Sequence, residues 1–110
     1  MKKLLSLTTI IITLLGTALP ANAGSATYYS NSLHGRVMAN GRPYNKYRHT
    51  AAYNHARLGT KLKVTNRKTG KSVIVEVTDL CNCSIDLSYA AFGAIAKHKQ
   101  GRVPVTITRL

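Results

Sequence analysis

Glu76, Asp79 and Asp86 are the only acids in a chain of 110 residues that carries sixteen lysines and arginines. Any carboxylate chemistry must come from these three, and a calcium loop or an acidic metal cage is excluded for want of ligands. Asp79 follows Ser72 to Thr78, in which Val73, Val75 and Val77 recur at every second position. Period two places Asp79 on the side of the valines and Glu76 on the other with Ile74 and Thr78, so the two do not face each other. At a strand end Asp79 also has a purely structural use, capping amides of the next loop. Asp86, in Asp86-Leu87-Ser88, reads as a helix-start residue near N-terminal amides, and Glu76 as a solvated outward residue.

Cys81 and Cys83 are the only cysteines. A bridge across one intervening residue closes a tight ring. The expected state is an intraloop disulfide beside Asp79, with free thiols or an intermolecular bridge as alternatives. His34, His49, His55 and His98 with these cysteines contain no pair at the usual ligand spacing, so no metal and no cofactor is expected.

These residues sit behind a segment of another kind. Lys2 and Lys3 precede an apolar stretch from Leu4 to Leu19 that ends in Pro20-Ala21-Asn22-Ala23. Residues 1–23 therefore read as a signal peptide cut after Ala23. The alternative, an N-terminal membrane anchor, is disfavoured by the short run and its helix breaker. No cysteine follows the cut, so a lipid anchor is not expected. Residues 24–110 read as one domain, a monomer exported to a periplasmic or extracellular space. Two lysines leave with the leader, so fourteen cationic residues face three acids, a net charge of +11. A nucleic-acid partner is the first thought for such a charge, but export redirects it to anionic wall polymers, held with salt sensitivity. Solubilising surface charge is the plainer alternative.

The elements that must position the site are short. Ala26 to Ser30 favours a strand, and Asn31 to Asn45 reads as a long loop of the kind that carries function. His49 to Asn54 gives a short strand. Lys61 to Thr65, with Leu62 and Val64 alternating, pairs through a hairpin at Asn66 to Lys71 with Ser72 to Thr78. Phe92, Ile95 and Ala96 form the stripe of a helix over about 89–99, with Ser88 as N-cap and Gly101 as terminator. Val103 to Ile107 is a last strand, Pro104 lying at an edge or unpaired amide. Several short strands and one helix predict a mainly β fold, a small barrel.

The run Thr27-Tyr28-Tyr29, His34-Gly35, Ala39-Asn40-Gly41, Ala51-Ala52 and Leu58-Gly59-Thr60 resembles the rare lipoprotein A (RlpA) family of double-psi β-barrels. So does Val64-Thr65-Asn66, Gly70-Lys71-Ser72-Val73, Val77-Thr78-Asp79, Ile85-Asp86-Leu87-Ser88, Ala91-Phe92 and Gly101 to Val105. The resemblance spans nearly all of residues 24–110 and implies a six-stranded barrel. It also implies an exported protein acting on peptidoglycan glycan strands as an endolytic lytic transglycosylase. Expansins and barwin-like proteins share the barrel, so the fold alone names no reaction. The alternative is a non-catalytic glycan-binding or expansin-like wall-loosening module.

A lytic transglycosylase uses the sugar's own 6-hydroxyl as nucleophile and leaves a 1,6-anhydro ring, so one acid can serve where a hydrolase needs two. Asp79 matches the family's strand-end aspartate and is implied as the general acid and base. Three departures fall around it. The family often reads Gly-Glu at Gly41-Arg42, places a histidine at Tyr53, and follows the aspartate with Arg-Gly where Leu80-Cys81-Asn82-Cys83 stands here. Tyr53 and His55 are the groups left to assist. For binding, Tyr28, Tyr29, Tyr44 and Tyr47 cluster around the long loop among Arg36, Arg42, Lys46 and Arg48. The expected surface is a basic, aromatic-lined groove for glycan carboxylates or wall phosphates. Intact mass before and after thiol alkylation tests the cysteine expectation: a bridged pair takes up no label, and uptake at both positions would contradict it.

Overall fold

The computed structural model describes residues 21–110. The expected leader lies outside them except for Ala21–Ala23, which open the first strand. The strands are β1 (Ala21–Tyr28), β2 (Thr50–Ala52), β3 (Lys61–Asn66), β4 (Ser72–Asp79), β5 (Ile85–Leu87) and β6 (Val103–Arg109). They close into a barrel in the order β1-β5-β2-β4-β3-β6. The β1–β5 and β2–β4 pairs are parallel and the other four antiparallel. This is the six-stranded, mainly β architecture that the resemblance implies, and closure leaves no free edge in this sheet among the described residues.

Alternation fills the interior. Leu62 and Val64, Val73, Val75 and Val77, Ile85 and Leu87, and Val103, Val105 and Ile107 all point inward and are buried with Ala26, Ala51 and Tyr53. Burial of each large side chain is worth roughly 1.5–3 kcal/mol. Pro104 is not on an edge, since β6 pairs on both sides. Its carbonyl accepts from the Arg67 N–H (2.9 Å), so its nitrogen faces that same side, just past the last β3 partner, where no donor is needed.

The helix α1 (Tyr89–Ile95) is shorter than the expected 89–99. Ala96 is extended, and a separate 3-10 turn, His98–Gln100, follows, closed by Gly101 at φ 69°. The chain must double back here because the His98 ring stacks on Tyr89 with centroids 3.7 Å apart. Gly93 makes room for it, since a Cβ there would lie 2.7 Å from His98. Phe92 and Ile95 enter the core, and the buried Asn66 side chain donates to the Ile95 carbonyl (2.8 Å), fixing the helix end to β3.

One irregularity governs the site. Along β2 and β4, Ala51 is opposite Val77 but Ala52 is opposite Asp79, leaving Thr78 as an extra residue. Such a bulge resets the alternation. Asp79 therefore does not share the valine side, as simple period two predicts. Thr78 Oγ1 reaches Met38 Sδ (3.3 Å) and Asp79 reaches the Ala39 N–H, both in the long loop outside the barrel.

Ser88 behaves as expected of an N-cap and does more. Fully buried, its hydroxyl accepts from the Ala91 and Thr50 N–H groups (both 3.2 Å) and donates to the Arg48 carbonyl (2.5 Å). Ser88→Ala takes this partner from the Ala91 and Thr50 N–H groups and the Arg48 carbonyl and should cost about 2 kcal/mol in urea unfolding. An unchanged midpoint would refute this role.

Candidate functional site

The strand registers bring Thr27, Asp86, Ala52 and Asp79 into one row across β1, β5, β2 and β4. Their neighbours Ala26, Ile85, Leu87, Ala51 and Val77 belong to the core, so the row lies on the outer face. Asp86 and Asp79 are two strand spacings apart, roughly 9–10 Å between Cα atoms. Between them Ala52 is small enough to let the Tyr29 ring, part of the same buried outer cluster, lie against it.

Tyr29 ties the row together. Its hydroxyl donates to Asp79 Oδ2 (2.6 Å), while Asp79 Oδ1 accepts from the N–H groups of Ala39 (2.9 Å) and Leu80 (3.0 Å). Three donors, from the residue that follows β1, the long loop and the following turn, thus fix one carboxylate. Burial, then the hydrogen bond and the charge of Asp79, push the Tyr29 hydroxyl far above the ordinary phenol range. It remains a donor. Tyr29 stacks on Tyr44 (centroids 4.4 Å), which is buried and accepts from the Tyr89 N–H (3.0 Å). Burial raises the Tyr44 hydroxyl as well.

Asp86 accepts from the Thr27 hydroxyl (3.0 Å). Burial raises its carboxyl above the usual aspartate range; the Thr27 bond opposes this and the charge of Asp79 adds to it. Asp86 is therefore not a helix-start residue: Ser88 caps α1, and Asp86 lies in β5 facing outward. Asp86 and Thr27 are candidate site residues that the sequence reading did not single out. The alternation Ile85-Asp86-Leu87, apolar on both sides of an acid, is the signal of a strand that could have found the first.

The long loop is an ordered cover. It contains a 3-10 turn, Asn31–Leu33, and a bridge between Val37 and Pro43, and it docks on β4 through the Asn40 N–H to the Thr78 carbonyl (3.2 Å). Two cavities open beneath it, with Met38 common to both. One of about 250 Å³ is lined by Asp79, Tyr29, Leu33, Val37 and Tyr44, with Arg36 at its side. The other, of about 440 Å³, has Thr50, Glu76 and Thr78 from the sheet and Arg42 and Arg48 from the chain above. Glu76 thus looks into a cleft, not into open solvent.

The sequence-derived site residues separate into groups. Asp79, Tyr29 and Tyr44 come together, and Arg42 lines the neighbouring cleft. The Tyr53 and His55 side chains lie elsewhere: Tyr53 is buried in the barrel core, its hydroxyl accepts from Asn22 Nδ2 (3.0 Å), and both line a pocket with Ser84 and Ile107. Only the Tyr53 backbone meets Asp79, N–H to carbonyl (3.0 Å). Tyr28 packs inward against Phe92 (4.7 Å between centroids), and its hydroxyl donates to the His98 carbonyl. Tyr47 is the one of these rings left open, 70% exposed, with Lys46 Nζ 5.2 Å from its centroid. Cys81 and Cys83 form a disulfide within the turn after Asp79. The Asn54 side chain bonds both the N–H and the carbonyl of Cys81, pinning that turn.

A family profile described as lytic transglycolase matches residues 21–107. An uncharacterized protein of Synechocystis is 60% identical over 88 residues, 80% of this chain and 98% of that protein. The endolytic peptidoglycan transglycosylase RlpA of Pseudomonas aeruginosa is 38% identical over 88 residues, 76% of this chain. The match spans 26% of that relative's length. Among solved structures, the Streptomyces papain inhibitor superposes with a TM-score of 0.70 at 28% identity, covering 83% of this chain and 94% of that one. An Asp-to-Asn variant of the Clavibacter michiganensis expansin, in complex with cellohexaose, gives 0.66 at 27% identity, covering 83% and 50%.

The raised Asp86 carboxyl has a consequence for stability. The folded state holds this proton more tightly than the unfolded one, so stability falls as pH rises from the ordinary aspartate range through the raised value. Asp86→Asn keeps an acceptor for Thr27 and removes the titration. Its urea midpoint should match wild type at low pH and exceed it near neutrality; a variant that loses stability most at neutral pH would contradict this.

Proposed function

The chain belongs to the RlpA-like double-psi β-barrel family, and from that premise we propose that it binds a wall glycan across the outer face and cleaves it as a lytic transglycosylase. The observation that carries this reading is the row of Thr27, Asp86, Ala52 and Asp79, two carboxylates in unlike environments on one face. Acid and base roles divide along such differences. Burial raises the Asp86 carboxyl, which favours its protonated form and suits it to the donor's part. Asp79, fixed by three donors, is the stationary negative charge that favours an oxocarbenium-like centre. This moves the general-acid role that the family resemblance gave Asp79 onto its neighbour.

In the reaction, Asp86 gives its proton to the glycosidic oxygen as the bond from C1 breaks. The 6-hydroxyl of the same sugar attacks C1, and its proton returns to Asp86. The products are a strand with a free 4-hydroxyl and one ending in a 1,6-anhydro ring, with no water consumed. Residues 1–23 export the chain, and its cationic excess holds it on the anionic wall.

Binding without cleavage is the second reading. Arg42 stands where the family often places an acid, and the Asp-to-Asn variant of the expansin similar to this chain is named in complex with cellohexaose. One experiment divides the two. Peptide-free peptidoglycan strands treated with the wild-type protein should yield 1,6-anhydro ends by mass spectrometry, and Asp86→Asn and Asp79→Asn should each slow their formation by on the order of 10²-fold or more. No such ends, with retained pull-down on the same polymer, would leave binding as the function.

A further inference from the structure

The Cys81–Cys83 bridge has no part in the cleavage scheme, yet it lies on the stretch of chain that joins the two carboxylates. Five residues, Leu80 to Ser84, carry the backbone from Asp79 at the end of β4 to Ile85 at the start of β5, crossing the Ala52 end of β2. Each part of this connection is held differently. At its start the Leu80 N–H bonds Asp79 Oδ1 (3.0 Å), and at its finish Ser84 Oγ accepts from the Ser25 N–H of β1 (3.0 Å). In between, Cys81 packs on the buried cluster of Tyr29, Met38, Tyr44 and Ala52. Asn54, two residues past β2, accepts from the Cys81 N–H (2.9 Å) and donates to its carbonyl. Asn82 and Cys83 are exposed, and among the described residues no hydrogen bond holds either of them. The bridge is what ties this half of the connection down.

The two sulfurs are placed unlike one another. Cys83 is open to an attacking thiolate, while Cys81 is half-buried with its Sγ 3.5 Å from the Ala52 carbonyl oxygen. A bridged sulfur has no proton for that oxygen, and a thiol has one. β5 is three residues long, so the segment that leads into it bears on where Asp86 stands. We propose that the bridge is a redox control on the outer-face site: reduction by a dithiol frees Asn82 and Cys83 and loosens the connection that sets Asp86 against Asp79. The inference rests on the wall-glycan reading and adds its regulation. In the exchange, one thiolate of the dithiol attacks Cys83 Sγ, the S–S bond breaks, and Cys81 leaves as a thiolate that takes up a proton. The second thiol of the dithiol then attacks its own sulfur in the mixed disulfide, releasing Cys83 as a thiolate that is protonated in turn. Two electrons and two protons pass to the protein, the dithiol ends as a disulfide, and re-oxidation reverses both. The Cys81 thiol finds its acceptor at Ala52 and stays on Asn54, so the change is local to the second half of the turn and the strand after it.

The test uses the full chain with its bridge intact, after treatment with dithiothreitol, and after re-oxidation, each state checked by thiol counting. Dithiothreitol should open the bridge in the folded protein and speed amide exchange at Ile85 to Leu87 at least about tenfold, while Val64 and Val105 in β3 and β6 stay protected. It should also slow formation of 1,6-anhydro ends at least about tenfold, and re-oxidation should restore both. Cys83→Ser, which cannot close the bridge, should behave as the reduced protein does and no longer respond to dithiothreitol. A bridge that opens only when the barrel unfolds would overturn the inference, as would a reduced protein that exchanges and cleaves like the oxidised one. Lost protection at Val64 and Val105 would overturn it too, since the bridge would then hold the whole fold. If no state forms anhydro ends, the cleavage reading fails, and amide exchange at Ile85 to Leu87 decides the redox control by itself.

Discussion

The hydrogen bond from Tyr29, the residue after β1, to Asp79 at the end of β4 spans Ala52, and the architecture of the site follows from it. It can form only because the bulge at Thr78 turns Asp79 out of the barrel, and only because the middle residue of the row has no side chain beyond Cβ. A larger residue at position 52 would lift the Tyr29 ring from its stack with Tyr44, and with it the floor on which the long loop rests. The same carboxylate takes the Ala39 and Leu80 amides, so loop, strand end and disulfide-bearing turn are referenced to one point. The cost of burying Tyr29 is offset by a charge-assisted bond, which in a partly dry site is stronger than its counterpart in water.

The long-range pairing explains why two aspartates seven positions apart end up on one face. The β1–β5 and β2–β4 pairs are parallel, so β5 is threaded between β1 and β2 and brings Asp86 beside Ala52. A site on rigid strands holds its geometry better than one on loops. The unlike behaviour of its two acids comes from the surroundings: one is fixed by amides and a phenol, the other is half-buried against the Thr27 hydroxyl.

Much of the barrel was legible in the sequence because period-two alternation in Leu62-Val64, Val73-Val75-Val77 and Val103-Val105-Ile107 depends only on which side is buried. The Ser88 cap was legible for a similar local reason. Asp79 was legible as a candidate, but its direction was not, because a bulge is set by the partner strand and leaves no mark in Val77-Thr78-Asp79. Asp86 was misread since a three-residue strand immediately before a helix looks, residue by residue, like a helix start. The tyrosines show the limit of composition: Tyr28, Tyr29 and Tyr44 crowd the loop in sequence, yet burial commits them to packing, and Tyr47 alone of the four keeps an open ring. Tyr53 and His55 stand next to the site in sequence and on the other side of the sheet in space.

The central claim is that burial, with a contribution from the charge of Asp79 on the same outer face, raises the Asp86 carboxyl. Carboxyl carbon titration by NMR reads it directly, in wild type and in Asp79→Asn. The account predicts that Asp86 titrates above the ordinary aspartate range in the wild-type protein and moves downward when the charge at position 79 is removed. An Asp86 that titrates in the ordinary range, or that does not respond to the change at Asp79, would contradict it.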